Sequence, residues 1–336
     1  MTDITDWPEL HGSCFEGDRV LVTGGAGFIG SHLCFALAQL GAQVVALDDL
    51  SGGERANLES AQTVGSDRIE LVEGSLLDKT TLAACTDGCR FVFHQAALPS
   101  VSRSIEHPLL FHEVNVTGTI NVLEAARRSR VERVMFAASS SAYGDAKTLP
   151  KTETMAPLPQ SPYAATKLAG EHQVRAYAAC FDLDAVSLRY FNIFGPRQNA
   201  NSAYAGVIAA FAKALVTGQD PQIDGDGQQS RDFTYVANAV QANLLAARTQ
   251  QPIGGEVINV GSGVRISINE LATTMAEELG RTDLQPQFRP PRPGDVKHSL
   301  ADVSKAKTVL GYCPIVSFRE GVRWSLQWYS KAQPWT

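Results

Sequence analysis

Short, nearly continuous runs of Val, Ile, Leu, Phe and Ala alternate with longer stretches of helical periodicity up to Phe191. "RVLVTGG" (19–25), "QVVALDD" (43–49), "IELVEGS" (69–75), "FVFHQAA" (91–97), "RVMFAASS" (133–140) and "AVSLRYF" (185–191) predict strands. Apolar residues fill these runs instead of alternating with polar ones, the pattern of strands covered on both faces. Between them, "FIGSHLCFALAQLG", "VNVTGTINVLEAARRS" and "SPYAATKLAGEHQVRAYAACF" predict helices. The rhythm predicts an α/β fold: a Rossmann-type, doubly wound parallel sheet with helices on both faces.

Beyond Phe191 the rhythm weakens into loops rich in Gly, Pro, Asn and Gln: "FGPRQNANSAY", "DGDGQQSRD" and "FRPPRPGD". The expected division is a short extension over 1–17, a Rossmann domain over 18–190, and a smaller C-terminal lobe from 191–233 and 263–336. The helical "YVANAVQANLLAARTQ" and the apolar "EVINVGS" (256–262) predict that 234–262 returns to the first domain. Loops of the smaller lobe are expected to face a ligand.

Composition narrows the class. With 336 residues, 44% hydrophobic and 19% charged, the chain reads as an ordinary globular protein. A net charge of −6 argues against nucleic acid or an anionic membrane as partner. The N-terminus lacks the basic and apolar regions of a secretory signal, and no apolar run suggests a membrane span. Cys85 and Cys89 are the only close pair among scattered cysteines, without a second pair or His cluster to complete a metal site. Reduced thiols in a cytoplasmic protein are expected, with no bound metal.

The chemistry starts at "VLVTGGAGFIGSHL", a strand that passes through glycines into a helix. Gly24 permits the tight turn, Gly27 lets a pyrophosphate approach the backbone, and Gly30 lets the helix pack on the strand. Phe28 and Ile29 open that helix, whose free N–H groups suit phosphates. Asp48 closes the second strand, where a carboxylate accepts from an adenosine ribose diol and repels a 2′-phosphate. No arginine follows it directly, although Arg55 is not far away, so NAD is expected rather than NADP.

"SPYAATK" (161–167) sets Tyr163 four residues before Lys167. Any two side chains four apart share a helix face, so spacing alone does not make them an acid–base pair. Ser161 is a good N-cap and Pro162 suits the first turn, which fixes the start of the helix just before Tyr163. Free tyrosine, with a pKa of about 10, is a poor base at neutral pH. A nearby ammonium and a positive nicotinamide would pull that value down.

Taken together, "TGGAGFIG", "SSSAYG", "SPYAATK", "RYFNIFGPRQ", "GDGQQSRDF" and "RPGDVKHSLAD" resemble the extended short-chain dehydrogenase/reductases. Within these, the chain most resembles the nucleotide-sugar epimerases, and among them the UDP-N-acetylglucosamine 4-epimerases of bacterial polysaccharide pathways. The resemblance implies that Tyr163 removes the C4 hydroxyl proton of a UDP-sugar while NAD⁺ takes the hydride. The 4-keto sugar then turns over and is reduced on its other face, with NAD held tightly through many turnovers. Lys167 would also bind the nicotinamide ribose, and Ser139 would hydrogen-bond the reacting oxygen. Ser140 and Ser141 would help hold the sugar. They stand where related dehydratases carry Asp-Glu and decarboxylating relatives a Glu, so redox at C4 and its reversal remain.

The resemblance further implies that Arg231, Arg292, Asp295 and Asn192 bind the nucleotide diphosphate and ribose, with Ser100 also on the substrate. Tyr190 would lie beside the nicotinamide, and Gln95, Ala96, Ala97 and Leu76 along the cofactor path, with Asn115 on a neighbouring backbone or at the nicotinamide ribose. Ser75 replaces the usual Asp that accepts from the adenine amino group; Asp78 reads as a surface or capping residue. Ser299 stands where glucose-restricted epimerases carry a tyrosine, and its small volume leaves room for an acetamido group. A UDP-glucuronate 4-epimerase and a non-catalytic NAD(H)-sensing relative remain alternatives. A homodimer built on helices around 107–128 and 161–180 is expected by the same resemblance.

Overall fold

The computed structural model describes residues 5–62, 68–199, 206–291 and 297–332. Seven strands form one sheet: β1 (Arg19–Thr23), β2 (Gln43–Asp48), β3 (Ile69–Glu73), β4 (Phe91–His94), β5 (Arg133–Ser139), β6 (Ala185–Tyr190) and β7 (Glu256–Val260). Their order is β7-β6-β5-β4-β1-β2-β3, and every neighbouring pair is parallel. Each expected strand is present but stops one to three residues early. The trailing Gly, Asp, Ala, Gln, Phe and Ser residues leave the ladder and turn along the carboxyl edge. The interiors of β1, β4, β5 and β6 are buried, as helices on both faces require.

Two of the glycines explain how the first helix, Phe28–Gln39, lies against the sheet. Gly24 adopts φ +67°, and a Cβ there would meet the Ala96 backbone at 2.8 Å. At Gly30 a Cβ would stand 1.9 Å from the Gly24 carbonyl oxygen. The helix is buried from Gly30 to Ala38, since it also packs on the helix Val236–Arg248. On the opposite face lies the helix Pro162–Phe181, capped by the Ser161 hydroxyl, which accepts from the Ala164 N–H. It packs on Gly118–Arg128, and a π-helical turn over Glu113–Thr117 leads into that element. Nothing in the apolar periodicity marks the extra residue of the π turn.

The segment expected to be an extension carries a helix, Trp7–His11, with Trp7 fully buried. Phe15, also buried, meets the ring of Phe91 edge-on at 5.9 Å between centroids. After β6 the chain forms two- and three-residue strand pairs: Ile193–Phe194 with Thr234–Tyr235, Ser230–Arg231 with Ile266–Ser267, and Gln222–Asp224 with Gln287–Arg289. The helices Val207–Val216, Ile268–Leu279 and Phe318–Ala332 cover them, and their apolar faces join the same core cluster as Phe28–Gln39. All six cysteines are free; Cys34, Cys85 and Cys89 are buried, whereas Cys180 and Cys313 are exposed. Among the described residues no helix is long and apolar enough to cross a membrane.

One buried ion pair joins the helix Pro162–Phe181 to the sheet. Arg189 of β6 donates from Nε and Nη2 to the two Glu171 carboxylate oxygens at 2.8 and 2.6 Å. Both side chains are about 4% exposed or less. Glu171→Leu leaves the guanidinium buried and unpaired, which should cost about 3–5 kcal/mol in urea unfolding. Replacing both residues by apolar ones of similar volume should recover most of that loss.

Candidate active site

The strand order reverses at β1 and β4, the switch point at which a crevice opens beyond the carboxyl edge. Because all strands are parallel, the residues following each of them reach that edge together. They are the loop from Gly24, Asp48 and the segment after it, Ser75–Leu76, Gln95–Ala97, Ser139–Ser141 and Tyr190–Asn192.

The glycine loop is shaped for a phosphate. No side chain caps the helix that starts at Phe28, so its first N–H groups are left for a ligand. A Cβ at Gly27 would meet only Gly24 atoms within 4 Å, which leaves the approach over its backbone open. Phe28 and Ile29 are half-buried at this mouth. Asp48 accepts from the Ala26 and Leu50 N–H groups at 3.0 and 2.9 Å, tying the second strand to the loop. Burial raises its pKa and those donors oppose the rise. Arg55 is engaged with Glu73, which counts against its serving a 2′-phosphate. Ser75 accepts from Leu77 N–H at 3.2 Å, and Asp78 caps the helix Lys79–Thr86 as expected of a capping residue. Leu76 packs beneath Gly118.

On the other side of the switch point, Gln95, Tyr190 and Asn243 form a cluster. Tyr190 donates to Gln95 Oε1 at 3.1 Å and accepts from Asn243 Nδ2 at 2.6 Å. Burial pushes the Tyr190 phenol up to about 12, so this ring stays neutral. Asn115 holds backbone: its carboxamide accepts from Leu98 N–H at 2.8 Å and donates to Leu98 O at 3.2 Å. Ala97 is half-buried between them in sequence.

The structure brings Ser139, Ser141 and Tyr163 together. Ser141 donates to Ser139 Oγ from its hydroxyl at 2.8 Å and from its N–H at 3.2 Å. With its lone pairs so used, Ser139 has its own hydrogen left to turn toward the neighbouring Tyr163 hydroxyl. Ser139 favours the phenolate, but burial outweighs it and raises the Tyr163 pKa. Lys167 lies one turn on, yet its ammonium donates to Ala137 O at 2.8 Å and sits over the Phe136 ring. Burial lowers its pKa to about 8, opposed by the Glu171 charge. Neither of these contacts of the Lys167 ammonium is with the Tyr163 hydroxyl.

The segments after β6 contribute a second set. Asn192, at φ +37°, donates to Asp232 O at 3.2 Å. Arg231 donates to the carbonyls of Ser230 and Lys297 at 3.0 and 3.3 Å. Ser299 is half-buried and its N–H donates to Ser230 O at 3.0 Å, which sets it beside the Arg231 strand. Ser140 is half-buried next to Ser139, and Ser100 caps the helix Val101–Glu106 by accepting from Arg103 N–H. Arg292 and Asp295 lie outside the described residues.

Two organising residues escaped the sequence reading. Asn243, on a helix far along the chain, gave no local signal. Asp232 lay inside "QSRDF" but drew no attention beside Arg231. It is fully buried and accepts from Ser262 N–H and Oγ, Gly263 N–H, Ala301 N–H and Thr234 Oγ1. It thereby fastens three chain segments behind the Arg231 and Ser299 positions.

The family model described as the NAD dependent epimerase/dehydratase family matches residues 20–261. A UDP-glucose 4-epimerase of Mycolicibacterium smegmatis is 40% identical over 313 residues, 93% of this chain and 98% of that one. The UDP-N-acetylglucosamine 4-epimerase of Methanobrevibacter ruminantium, solved with UDP-N-acetylmuramic acid, superposes with a TM-score of 0.88 at 37% identity, covering 94% of this chain and 98% of that one. A UDP-glucuronic acid 4-epimerase of Bacillus cereus, solved with UDP-glucuronic acid and NAD, gives 0.86 at 33% identity, covering 94% and 99%.

Proposed function

The chain belongs to the NAD-dependent epimerase/dehydratase family, and on that premise we propose that it inverts C4 of a UDP-sugar, chiefly interconverting UDP-N-acetylglucosamine and UDP-N-acetylgalactosamine. UDP-glucose and UDP-galactose form a second pair. The observation that carries the reaction is Ser139 set beside the Tyr163 hydroxyl at the sheet edge, with Lys167 one turn along the same helix. These three relatives share 4-epimerisation in their names and differ in the sugar, so the reaction is the better supported part of this reading.

NAD⁺, when bound, accepts a hydride from the sugar and returns it. The glycine loop and the open helix start at Phe28 would hold its pyrophosphate, with Asp48 at the adenosine ribose and Lys167 at the nicotinamide ribose. Tyr163 takes the C4 hydroxyl proton and gives it back. Ser139 donates to the same oxygen, lowering the cost of the phenolate. Ser141 braces Ser139 through its own hydroxyl and N–H, where a dehydratase or decarboxylase would present a carboxylate. This supports reversal of the redox step over elimination or loss of CO₂. Arg231 and Asn192 would serve the diphosphate, joined by Arg292 and Asp295, while Ser100 and Ser140 contact the sugar side. Firm retention of NAD follows from a cycle with no net redox change.

The sugar is assigned from Ser299. A serine next to the short strand of Arg231 leaves space for an acetamido group as the keto sugar turns over. A homodimer fits the exposed apolar residues Ile105, Leu109, Leu110 and Phe181 on or beside the helices expected to pair.

Proton NMR of the purified protein, without added NAD, should show UDP-N-acetylgalactosamine forming from UDP-N-acetylglucosamine. Turnover of UDP-glucose alone would remove the Ser299 argument, and turnover of UDP-glucuronate alone would reassign the sugar. No reaction with any of the three after NAD is added would point to a non-catalytic NAD(H) sensor. Ser299→Tyr should cut activity on the N-acetylated pair at least tenfold more than on UDP-glucose. Tyr163→Phe should lower kcat by about 10²–10⁴-fold, with NAD content and thermal midpoint unchanged; near-normal turnover would exclude Tyr163 as the base.

A further inference from the structure

A buried polar chain runs beneath the site, and no step of the reaction uses it. It starts at Thr23, the last residue of β1 and the one before Gly24. Its hydroxyl lies 2.7 Å from Nδ1 of His94, the last residue of β4, which is fully buried. His94 Nε2 is 2.9 Å from Thr119 Oγ1, and Thr119 donates to Asn115 O at 2.6 Å. Asn115 Nδ2 donates to Thr166 Oγ1 at 3.1 Å as well as to Leu98 O, and Thr166 donates to Tyr163 O at 2.8 Å. The Tyr163 N–H donates to Ser104 Oγ at 3.1 Å, so side chains hold both backbone groups of that residue.

The hydrogens of this chain can be placed by valence. A carbonyl only accepts, so the single Thr119 hydrogen goes to Asn115 O. Toward His94, Thr119 can then only accept, and Nε2 must carry a hydrogen. Nδ1 of a neutral ring is bare and accepts the Thr23 hydroxyl hydrogen. Thr23 Oγ1 in turn accepts the Ala96 N–H at 3.3 Å. An imidazolium would take away the acceptor for the Thr23 hydrogen. Burial and the Lys167 charge hold the ring neutral in any case, with a pKa of about 3. Both Asn115 amide hydrogens are also used. Every donor from Thr23 to Tyr163 therefore has one acceptor, and the chain has one direction.

From this geometry we propose that His94 is a positioning residue, which couples the floor of the cofactor cleft to the backbone of Tyr163 through Thr119, Asn115 and Thr166. It fixes the end of β1 and the Ala96 N–H on one side. On the other it aims the Thr119 hydroxyl at the Asn115 carbonyl, within the π turn, and so sets the carboxamide that holds Thr166. Movement of the nicotinamide floor and of the phenol is thereby locked together, which a base in a two-way hydride cycle needs on both faces of the sugar. The proposal rests on Tyr163 being the base.

Thr119→Val keeps the volume and removes the relay, whereas Thr119→Ser keeps the hydroxyl; direct replacement of His94 risks the fold. Thr119→Val should lower kcat by about 10- to 100-fold with KM within twofold, and should speed amide exchange of residues 161–168 in the purified protein. Thr119→Ser should behave like the wild type in both measurements. Equal damage in the two variants would assign the site to packing, and a kcat loss without faster exchange would sever the link to Tyr163; either overturns the proposal. Should the wild type turn over no UDP-sugar, the exchange comparison still decides the coupling, and the failure belongs to the functional reading instead.

Discussion

An all-parallel sheet sends every strand's following loop to the same edge, and this one constraint builds the site. Residues as far apart in sequence as Gly24, Asp48, Gln95, Ser139 and Tyr190 meet because each comes at or just after a strand end. The reversal of strand order between β1 and β4 then opens the space between them. Gly30 makes the arrangement tight, since no other residue lets the first helix lie against the Gly24 carbonyl. Without that contact the uncapped helix start would not point at the crevice.

Burial dominates the electrostatics at Tyr163 and Lys167. Burial drives Tyr163 away from ionisation and Lys167 toward neutrality, while the lysine ammonium is committed to Ala137 O. Ser139 is the neighbour that favours the phenolate. A base at Tyr163 would therefore depend on added positive charge as well as on that hydroxyl.

The sheet was legible because seven apolar runs each had the length and turn signals of a buried strand. The glycine loop and the cap at Ser161 were legible for the same reason: their chemistry is local. What the sequence could not show is long-range. Asp232 reaches Ala301 across 69 positions, and Tyr190 meets Asn243 across 53. The π turn at Asn115 and the packing of Trp7 depend on neighbours that no nearby residue announces. The direction of the Lys167 ammonium was not legible either, since a shared helix face does not fix a hydrogen-bond partner. Its actual partner is a carbonyl of the adjacent strand.

Asp232 carries a consequence for how this protein changes over time. Its carboxylate holds the Ser262–Gly263 segment and the segment at Ala301 together, and Asn259 adds bonds to Lys151 O and Asp302 O. The wall that bears Ser299 is therefore a stiff frame instead of an adaptable flap. On such a frame, an exchange of side-chain size at Ser299 would change the space beside it while leaving the backbone that carries it in place.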